Sequence, residues 1–459
     1  VLFRSQATLS QADRYAPDRR EFDFTAASSA TDPDSLKTQY DFQKPNDQQS
    51  SLFRGFMLEP GTIIRRYDEL VDDNADVSAD LTWDVYDSGA SFGQLRTGFQ
   101  LIYRERDSES STYGFNVNQV RDDLLRTSNL LVSDVVYTCD GESSRAGCEA
   151  GGEGGISSSP NTGLVFVDKT LASDSYDAEL EYNSAYLMYD HTIDSVWQVI
   201  IGGRYETYEQ TTNTFSLQGA QGAVQSVIDE DSFLPSLGVN WFISDDHQLR
   251  LALSQTVARP DFKEAANATF YDNEFNFRVR GNPFLEISDI INADLRWEWY
   301  LSEVDSLSVA LFYKDMDKPI ERVVQAASGT AGNSRTFQNS ESAELYGLEV
   351  DGRFEFALGE GYDRTVFVSF NAAFIESEVT AQNQEDRALQ GQPEYTANLI
   401  LGYDDIGAGH QLTVLLNQNG KSIADVGVSG QPDVFLEPRL DLNVVYRFNI
   451  SDALTLKAK

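Results

Sequence analysis

The most constraining feature of the chain is a repeated unit of two amphipathic segments, which begins near residue 79 and continues to the end. In each unit a short turn joins two segments of roughly ten residues, and a long polar loop leads to the next unit. Segments 176–190 and 195–208, for example, flank the turn 191–194, and a loop through Asp231 follows. Because successive side chains of a strand point to opposite faces, this alternation predicts β-strands.

The repeat predicts on the order of fourteen strands, each about as long as a strand that crosses a bilayer. In the segment 94–106, Leu101 and Tyr103 share one face and Gln100 lies on the other. The predicted strands cover residues 79–86, 94–106, 176–190, 195–208, 233–243, 247–258, 290–301, 306–316, 343–356, 364–375, 394–403, 411–418 and 439–448, with a last one from residue 453.

The connection lengths distinguish two folds that share this alternation. A soluble β-sandwich mixes connection lengths, whereas a membrane barrel has short turns on one rim and long loops on the other. All five tryptophans fall inside the predicted strands, as expected for aromatic girdles. No apolar run approaches the ~18 residues of a membrane helix, so any membrane span must consist of strands. The sequence therefore predicts an all-β, transmembrane, antiparallel up-and-down β-barrel.

The polar faces of several predicted strands carry arginines and carboxylates, which a water-filled or plugged lumen tolerates. We expect these side chains to face the lumen, where mutual pairing across neighbouring strands and contact with a ligand remain alternatives. They are Arg204, Glu206, Arg250, Asp294, Arg296, Glu298, Glu349, Asp351 and Arg353.

The charge balance is strongly acidic, with 35 lysines and arginines against 73 aspartates and glutamates and a net charge of -38. This balance argues against nucleic-acid binding. Acidic runs at 72–76 and 229–231 are expected in loops, where a solvated surface and divalent-cation binding are both open. The run from Asp72 to Asp76 begins like a calcium loop, but Val77 stands where the turn glycine belongs.

The cysteines and histidines do not indicate a catalytic or metal-binding site. Cys139 and Cys148 lie in the longest predicted loop, 107–175, where a disulfide is expected and two free thiols are the alternative. His191, His247 and His410 lie in or beside short turns, so they predict no catalytic or metal-binding cluster. Nucleophile-elbow, zinc-protease and dinucleotide motifs do not occur. We therefore predict neither an enzyme nor a cofactor.

Several segments occur in an informative order. Residues 249–262 read LRLALSQTVARPDF, 281–285 read GNPFL, and 292–300 read NADLRWEWY. Further segments are 201–206 ahead of them and 310–314, 319–320 and 343–349 after them. Together they resemble the C-terminal half of the barrel of TonB-dependent outer-membrane receptors, over about residues 79–459. In such a strand the Arg259-Pro260 pair is a natural end, because proline cannot donate to the ladder.

The resemblance implies a barrel of about twenty-two strands, of which about fourteen or fifteen are expected here. It also implies periplasmic turns, extracellular loops and a plug domain inside the lumen. No plug-like segment or signal peptide precedes residue 79, so we expect the chain to lack its own plug domain and its last strand. Residues 1–78 are expected to form a partial strand near 21–25 plus a long extracellular loop, and residues 79–459 the barrel domain.

The function implied by the resemblance is TonB-energised uptake of a scarce nutrient across the Gram-negative outer membrane, with ferric siderophore, oligosaccharide and cobalamin all open. Expected partners are outer-membrane lipid, the plug, the TonB complex through the plug, and the ligand, with a monomeric receptor. Alternatives are a passive porin and a soluble β-sandwich adhesin. The loop 261–289 contains aromatic residues and arginines, which could bind a ligand or pack together as the core of the loop. The candidate ligand residues are Tyr271, Phe275, Phe277, Arg278 and Arg280.

Overall fold

The computed structural model describes residues 1–21, 24–26, 56–58, 63–118, 163–215, 223–272, 277–326, 333–359, 363–381, 386–428, 430–451 and 454–459. Their strands are β1 Leu2–Glu21, β2 Phe24–Ala26, β3 Phe56–Leu58, β4 Ile63–Asp87, β5 Phe92–Asn118, β6 Gly163–Asp168, β7 Tyr176–Ile193, β8 Trp197–Phe215, β9 Ala223–Phe242, β10 His247–Ala258, β11 Thr269–Asp272, β12 Phe277–Arg280, β13 Ser288–Tyr300, β14 Ser306–Asp317, β15 Ile320–Ala326, β16 Asn333–Asn339, β17 Ser342–Ala357, β18 Arg364–Thr380, β19 Tyr395–Asp405, β20 His410–Asn419, β21 Ser422–Gly427, β22 Val434–Leu436, β23 Arg439–Ser451 and β24 Leu454–Ala458.

One large antiparallel sheet contains most of these strands. Its hydrogen-bonded order is β1-β4-β5-β7-β8-β9-β10-β13-β14-β17-β18-β19-β20-β23-β24, and β6 pairs with β5 beside this path. Strands that follow one another along the path also follow one another in the chain, which is the up-and-down arrangement. The prediction of an all-β, antiparallel architecture with about fourteen or fifteen barrel strands is therefore confirmed.

The connections of the large sheet alternate in length as predicted. Short connections such as 194–196 and 243–246 lie at one end, which we call the turn rim. Long connections such as 259–287 and 318–341 lie at the other end, the loop rim. Among the described residues, no helix has the length and apolar character needed to span a membrane.

The two faces of the large sheet differ in polarity because neighbouring strands pair in register. One row consists of Phe99, Ala185, Tyr205 and Phe233. The next row, on the opposite face, consists of Gln100, Ser184, Glu206 and Ser232. In the first row Phe233 is 63% exposed, whereas Glu206 in the second is 5% exposed. A barrel in lipid turns its apolar side outward, so we call the first face the outer face and the second the inner wall.

Many strands are longer than predicted, and five of them exceed the prediction most clearly or change its interpretation. Strands β4 and β5 have 25 and 27 residues, and β8 and β9 have 19 and 20. Strand β1 spans Leu2–Glu21, where only a short strand near its end was expected. The expectation that the acidic runs 72–76 and 229–231 form loops was wrong, since both lie within strands. Above an apolar belt a strand needs no apolar face, so the ladder continues where the alternation of polarity stops.

Candidate functional site

The long connections at the loop rim fold together into a second sheet. It has six strands in the order β11-β12-β16-β15-β21-β22, and we call it the loop sheet. Its strands come from three connections, which follow β10, β14 and β20 in the chain. Val323, Ile423 and Val426 form a small apolar core between β15 and β21. The loop rim is therefore a folded structure rather than a set of independent loops.

A buried carboxylate joins three strands of the loop sheet. Asp425 in β21 is fully buried and accepts hydrogen bonds from Arg322 in β15 and Arg335 in β16, each at 2.5 Å. Arg335 is itself only 1% exposed. A buried guanidinium without a counter-charge is strongly destabilising, so the carboxylate of Asp425 is essential to this packing.

A second buried carboxylate extends this network to the connection between β18 and β19. Glu321 accepts hydrogen bonds from both terminal nitrogens of Arg387, at 2.8 and 2.6 Å. It also accepts from the hydroxyl of Ser340 at 2.5 Å and from the backbone N–H of Gln390 at 3.3 Å. Three long connections, between β14 and β17, β18 and β19, and β20 and β23, are thus held together by two carboxylates and their hydrogen bonds. We call these groups the loop network.

The connection between β10 and β13 packs against the inner wall. It contains a short helix, α1, Phe262–Ala265, whose N-cap is Asp261. The Asp261 carboxylate accepts from the backbone N–H of Lys263, and the Glu264 carboxylate accepts from that of Asp261, which is a capping box. A Cβ at Gly281 would lie 2.0 Å from the Ala266 carbonyl oxygen, so only glycine permits this close return of the chain.

Arg259 fixes the start of this connection on the inner wall. Its guanidinium donates to Glu206 Oε2 at 2.7 Å and lies 4.7 Å from the centre of the Tyr208 ring. Glu206 also accepts from Arg204 Nε at 2.7 Å and from the Tyr182 hydroxyl at 2.6 Å. The buried carboxylate is therefore satisfied by three donors, one of which comes from the connection itself.

Helix α1 makes a second contact with the wall through Phe262. The ring centre lies 5.2 Å from the guanidinium carbons of both Arg104 and Arg106, and the side chain is buried. Both arginines donate to Asp72, Arg104 Nη2 at 2.7 Å and Arg106 Nε at 2.6 Å. Burial alone would raise the pKa of Asp72, but the hydrogen bonds and charges of the two arginines outweigh it and lower that pKa.

The position of Asp72 overturns the resemblance to a calcium loop. Asp72, Asn74 and Asp76 lie in β4. Asp72 binds the two arginines, and Asp76 accepts from Gln100 at 2.9 Å. Within the described ranges, no group of three or more histidine, cysteine or acidic side chains is arranged to hold a metal ion. Cys139 and Cys148, the expected disulfide, lie outside the described residues.

The predicted ligand residues fall at one edge of the loop sheet. Tyr271 lies in β11 and pairs in register with Arg278 of β12, while Phe277 and Arg280 are the two ends of β12. Arg278 is exposed, and Arg280 donates twice to the side-chain oxygen of Asn267, at 3.0 and 2.6 Å. Phe275 lies outside the described residues.

The predicted lumen residues lie along the inner wall, where most of them pair with one another. Glu298 contacts Arg250 Nη2 at 3.2 Å and Arg296 Nε at 2.9 Å, and Arg296 also lies 3.3 Å from Asp351. Arg204 pairs with Glu206, and Arg353 lies 3.4 Å from Glu355. Among the described residues, Asp294 and Glu349 take part in none of these ion pairs. Ion pairs therefore account for seven of the nine positions, and six of these residues pair with one another.

Comparison with known proteins identifies the architecture. The profile of the family described as TonB dependent receptor-like, beta-barrel, matches residues 4–459. The chain belongs to this family. The match begins ahead of residue 79, where the sequence resemblance was expected to begin. Among curated proteins, none matches the chain significantly.

Solved receptors have the same fold at low sequence identity. The copper transporter OprC has a TM-score of 0.59 at 11% identity, covering 99% of this chain and 55% of its own. The ferripyoverdine receptor of Pseudomonas aeruginosa has a TM-score of 0.55 at 12% identity, and the match covers 99% of this chain and 49% of the receptor. The siderophore receptor PiuA of Acinetobacter baumannii has a TM-score of 0.52 at 13% identity, and the match covers 86% of this chain and 52% of the receptor. The chain thus spans about half the length of the receptors it matches.

Sequence reasoning missed the two devices that organise the loop rim. The segment ARPDF, residues 258–262, was recognised in the sequence. Its contact with the inner wall was not predicted, because Asp72 and Glu206 lie far from it in the chain. The loop network had no sequence signal, since Arg322 and Asp425 are 103 positions apart.

We expect Arg259→Gln combined with Phe262→Ala to release helix α1 from the inner wall. Hydrogen bonds to charged groups contribute about 1.5–3 kcal/mol, so amide hydrogen exchange of residues 262–266 should accelerate by about tenfold or more. The matched control is Arg250→Gln, which breaks an ion pair with Glu298 elsewhere on the wall. Unchanged exchange in the double variant would contradict the assignment of this contact.

We expect Asp425→Asn to loosen the loop sheet, because it removes the carboxylate charge that pairs with the buried Arg335. The cost of breaking a buried pair is about 3–5 kcal/mol, and it should appear as faster amide exchange in β15 and β21 but not in β10 or β13. Glu437→Gln is the control, since the Glu437 side chain is 76% exposed and lies 4.0 Å from Lys421. Equal protection in Asp425→Asn and Glu437→Gln would refute a structural role for the buried pair.

Proposed function

We propose that the chain forms the wall and extracellular loops of a TonB-energised receptor in the Gram-negative outer membrane, which takes up a scarce nutrient. The observation that carries this proposal is the family match over residues 4–459, together with long connections that fold into a preformed loop sheet. A preformed surface lowers the entropic cost of capturing a dilute ligand. The role is transport rather than catalysis.

The proposed ligand is a metal chelate such as a ferric siderophore, bound at the loop-sheet edge formed by β11 and β12. The exposed guanidinium of Arg278 provides a donor for an anionic chelate. In the sequence, Tyr271, Phe275 and Phe277 are aromatic residues of the same connection, a residue type that favours binding of flat or aromatic chelates. Solved structures with this fold include receptors named for siderophores, ferripyoverdine and copper. These names favour an iron or copper ligand over cobalamin or an oligosaccharide.

The proposed partner on the inner wall is the receptor's own plug domain, through which the TonB complex would act. Asp294 and Glu349 are carboxylates on this wall that take part in no ion pair among the described residues. They are available to cationic groups of a plug, whereas the pairs around Glu298 already satisfy one another. We propose a monomer, since one barrel encloses its own passage.

Binding to the reconstituted receptor tests the ligand proposal, with ferric citrate, a ferric catecholate, cyanocobalamin and maltodextrin as probes. We expect one ferric chelate to bind, and Arg278→Gln combined with Tyr271→Ala to weaken it by about tenfold or more, as loss of a charged donor and an aromatic anchor implies. Arg364→Gln at the turn rim is the control. Chelate affinity unchanged in the double variant would discard this binding site.

Uptake measurements separate the receptor from a passive porin. A cell that lacks its other iron receptors should accumulate the bound chelate only when its TonB system is intact. Uptake that continues at the same rate without TonB would overturn energised transport and favour a passive channel.

A further inference from the structure

All three histidines of the chain occupy equivalent positions in the fold. His191 lies near the end of β7, and His247 and His410 are the first residues of β10 and β20, so all three lie at the turn rim. All three also lie on the outer face. Each is two positions from a residue of that face, namely Tyr189, Leu249 and Leu412, and side chains alternate along a strand.

The five tryptophans lie in the same band of the outer face. Trp83 is 52% exposed, Trp197 stacks on Trp241 with ring centres 5.1 Å apart, and Trp297 and Trp299 are neighbours in β13. In a membrane barrel such an aromatic band marks the boundary between the apolar belt and the lipid headgroups. The histidines are therefore placed at headgroup level.

Aromatic neighbours fix the orientation of each imidazole ring. His191 stacks on Tyr189 at 5.6 Å, and His410 on Phe448 at 4.4 Å between ring centres. His247 stacks on both Trp297 and Trp299, at 5.7 and 5.5 Å. Packing of this kind holds an imidazole in place without using its second ring nitrogen.

Hydrogen bonds occupy one nitrogen of two of the rings. His191 Nδ1 lies 3.0 Å from the hydroxyl of Tyr189, and His410 Nδ1 lies 2.8 Å from the hydroxyl of Tyr446. Within the described residues, Nε2 of these two histidines has no hydrogen-bond partner, and it remains available for a group outside the protein.

The band has few other cations. In the described strands, Arg364 is the single lysine or arginine on the outer face near the turn rim, and its Nε lies 3.7 Å from Asp405. The adjoining turns are acidic, for example at Asp194, Asp245 and Asp246. Apart from Arg364, the histidines are therefore the cationic or potentially cationic side chains that a lipid phosphate would meet on the outer face of the described strands at this rim.

We propose that His191, His247 and His410 bind the phosphate of anionic phospholipids in the leaflet at the turn rim. A protonated imidazole donates from Nε2 to a phosphate oxygen while its stacked ring remains in the aromatic band. Each site fits one headgroup, since the three histidines lie on separate strands. The inference is independent of the ligand at the loop rim and needs only that the outer face contacts lipid.

The charged and titratable groups around each site differ. His191 faces the phenols of Tyr189 and Tyr86. His247 has Asp246 Oδ2 4.0 Å from its Nε2. His410 faces Tyr446 and pairs in register with Asp405 across β19 and β20.

Tryptophan quenching by brominated lipids tests the proposal, because all five tryptophans lie in this band. The receptor is reconstituted in phosphatidylcholine vesicles that contain either dibrominated phosphatidylglycerol or dibrominated phosphatidylcholine. At pH 6 we expect phosphatidylglycerol to be preferred over phosphatidylcholine by about fivefold, which is the effect of one cation near an anionic headgroup. At pH 8, where imidazole is neutral, the preference should disappear.

The decisive variant replaces the three histidines by phenylalanine, which preserves the stacked rings and removes the donors. Its lipid preference should fall to about one, as expected without a cation at the interface. The control replaces Tyr103, Tyr205 and Tyr346 by phenylalanine, since these outer-face residues lie nearer the loop rim. A preference that persists in the histidine variant, or that is absent from the wild type at pH 6, would overturn the proposal. If the triple variant fails to assemble, His247→Phe alone is compared, and its preference should fall part of the way, since His191 and His410 remain. An unchanged preference would then overturn the proposal for His247.

Discussion

The structure depends on one constraint, which is that a backbone in lipid must satisfy its hydrogen bonds within its own sheet. An antiparallel ladder does this, and it also makes successive side chains alternate between lipid and lumen. The pairing of Phe99 with Ala185 and of Gln100 with Ser184 shows the consequence, since adjacent residues belong to rows of opposite polarity. Everything charged must then lie on the inner wall, at the rims or above the apolar belt.

The charges on the inner wall and at the loop rim are organised by the same physical rule. A carboxylate removed from water must be surrounded by donors. Glu206 obtains one of its donors from Arg259 of a long connection, and Asp425 obtains both of its guanidinium donors from other strands of the loop sheet. Satisfying the buried charges therefore also fixes the positions of the connections, which gives the proposed receptor a preformed extracellular surface.

The sequence predicted what depends on local periodicity and failed where distant residues meet. Strand β10 was predicted within its observed bounds, His247–Ala258, because it lies in the apolar belt and ends at Arg259-Pro260. Strand β4 was predicted to begin at residue 79 but begins at Ile63, since charged residues occur on both faces of its upper part and interrupt the alternation of polarity. The contact between Arg259 and Glu206 could not be predicted, because nothing local to either residue indicates the other.

The assignment of the two faces is the central claim, and spin-label accessibility along β5 tests it most directly. Labels placed one at a time from residue 95 to 112 report access to oxygen, which enriches in lipid, and to a polar nickel chelate, which stays in water. We expect oxygen access to alternate with a period of two and to be high at odd positions up to Tyr103. Lipid access should end beyond Glu105, although the strand continues. Oxygen access without this alternation, or lipid access at Gln100 and Arg104, would contradict it.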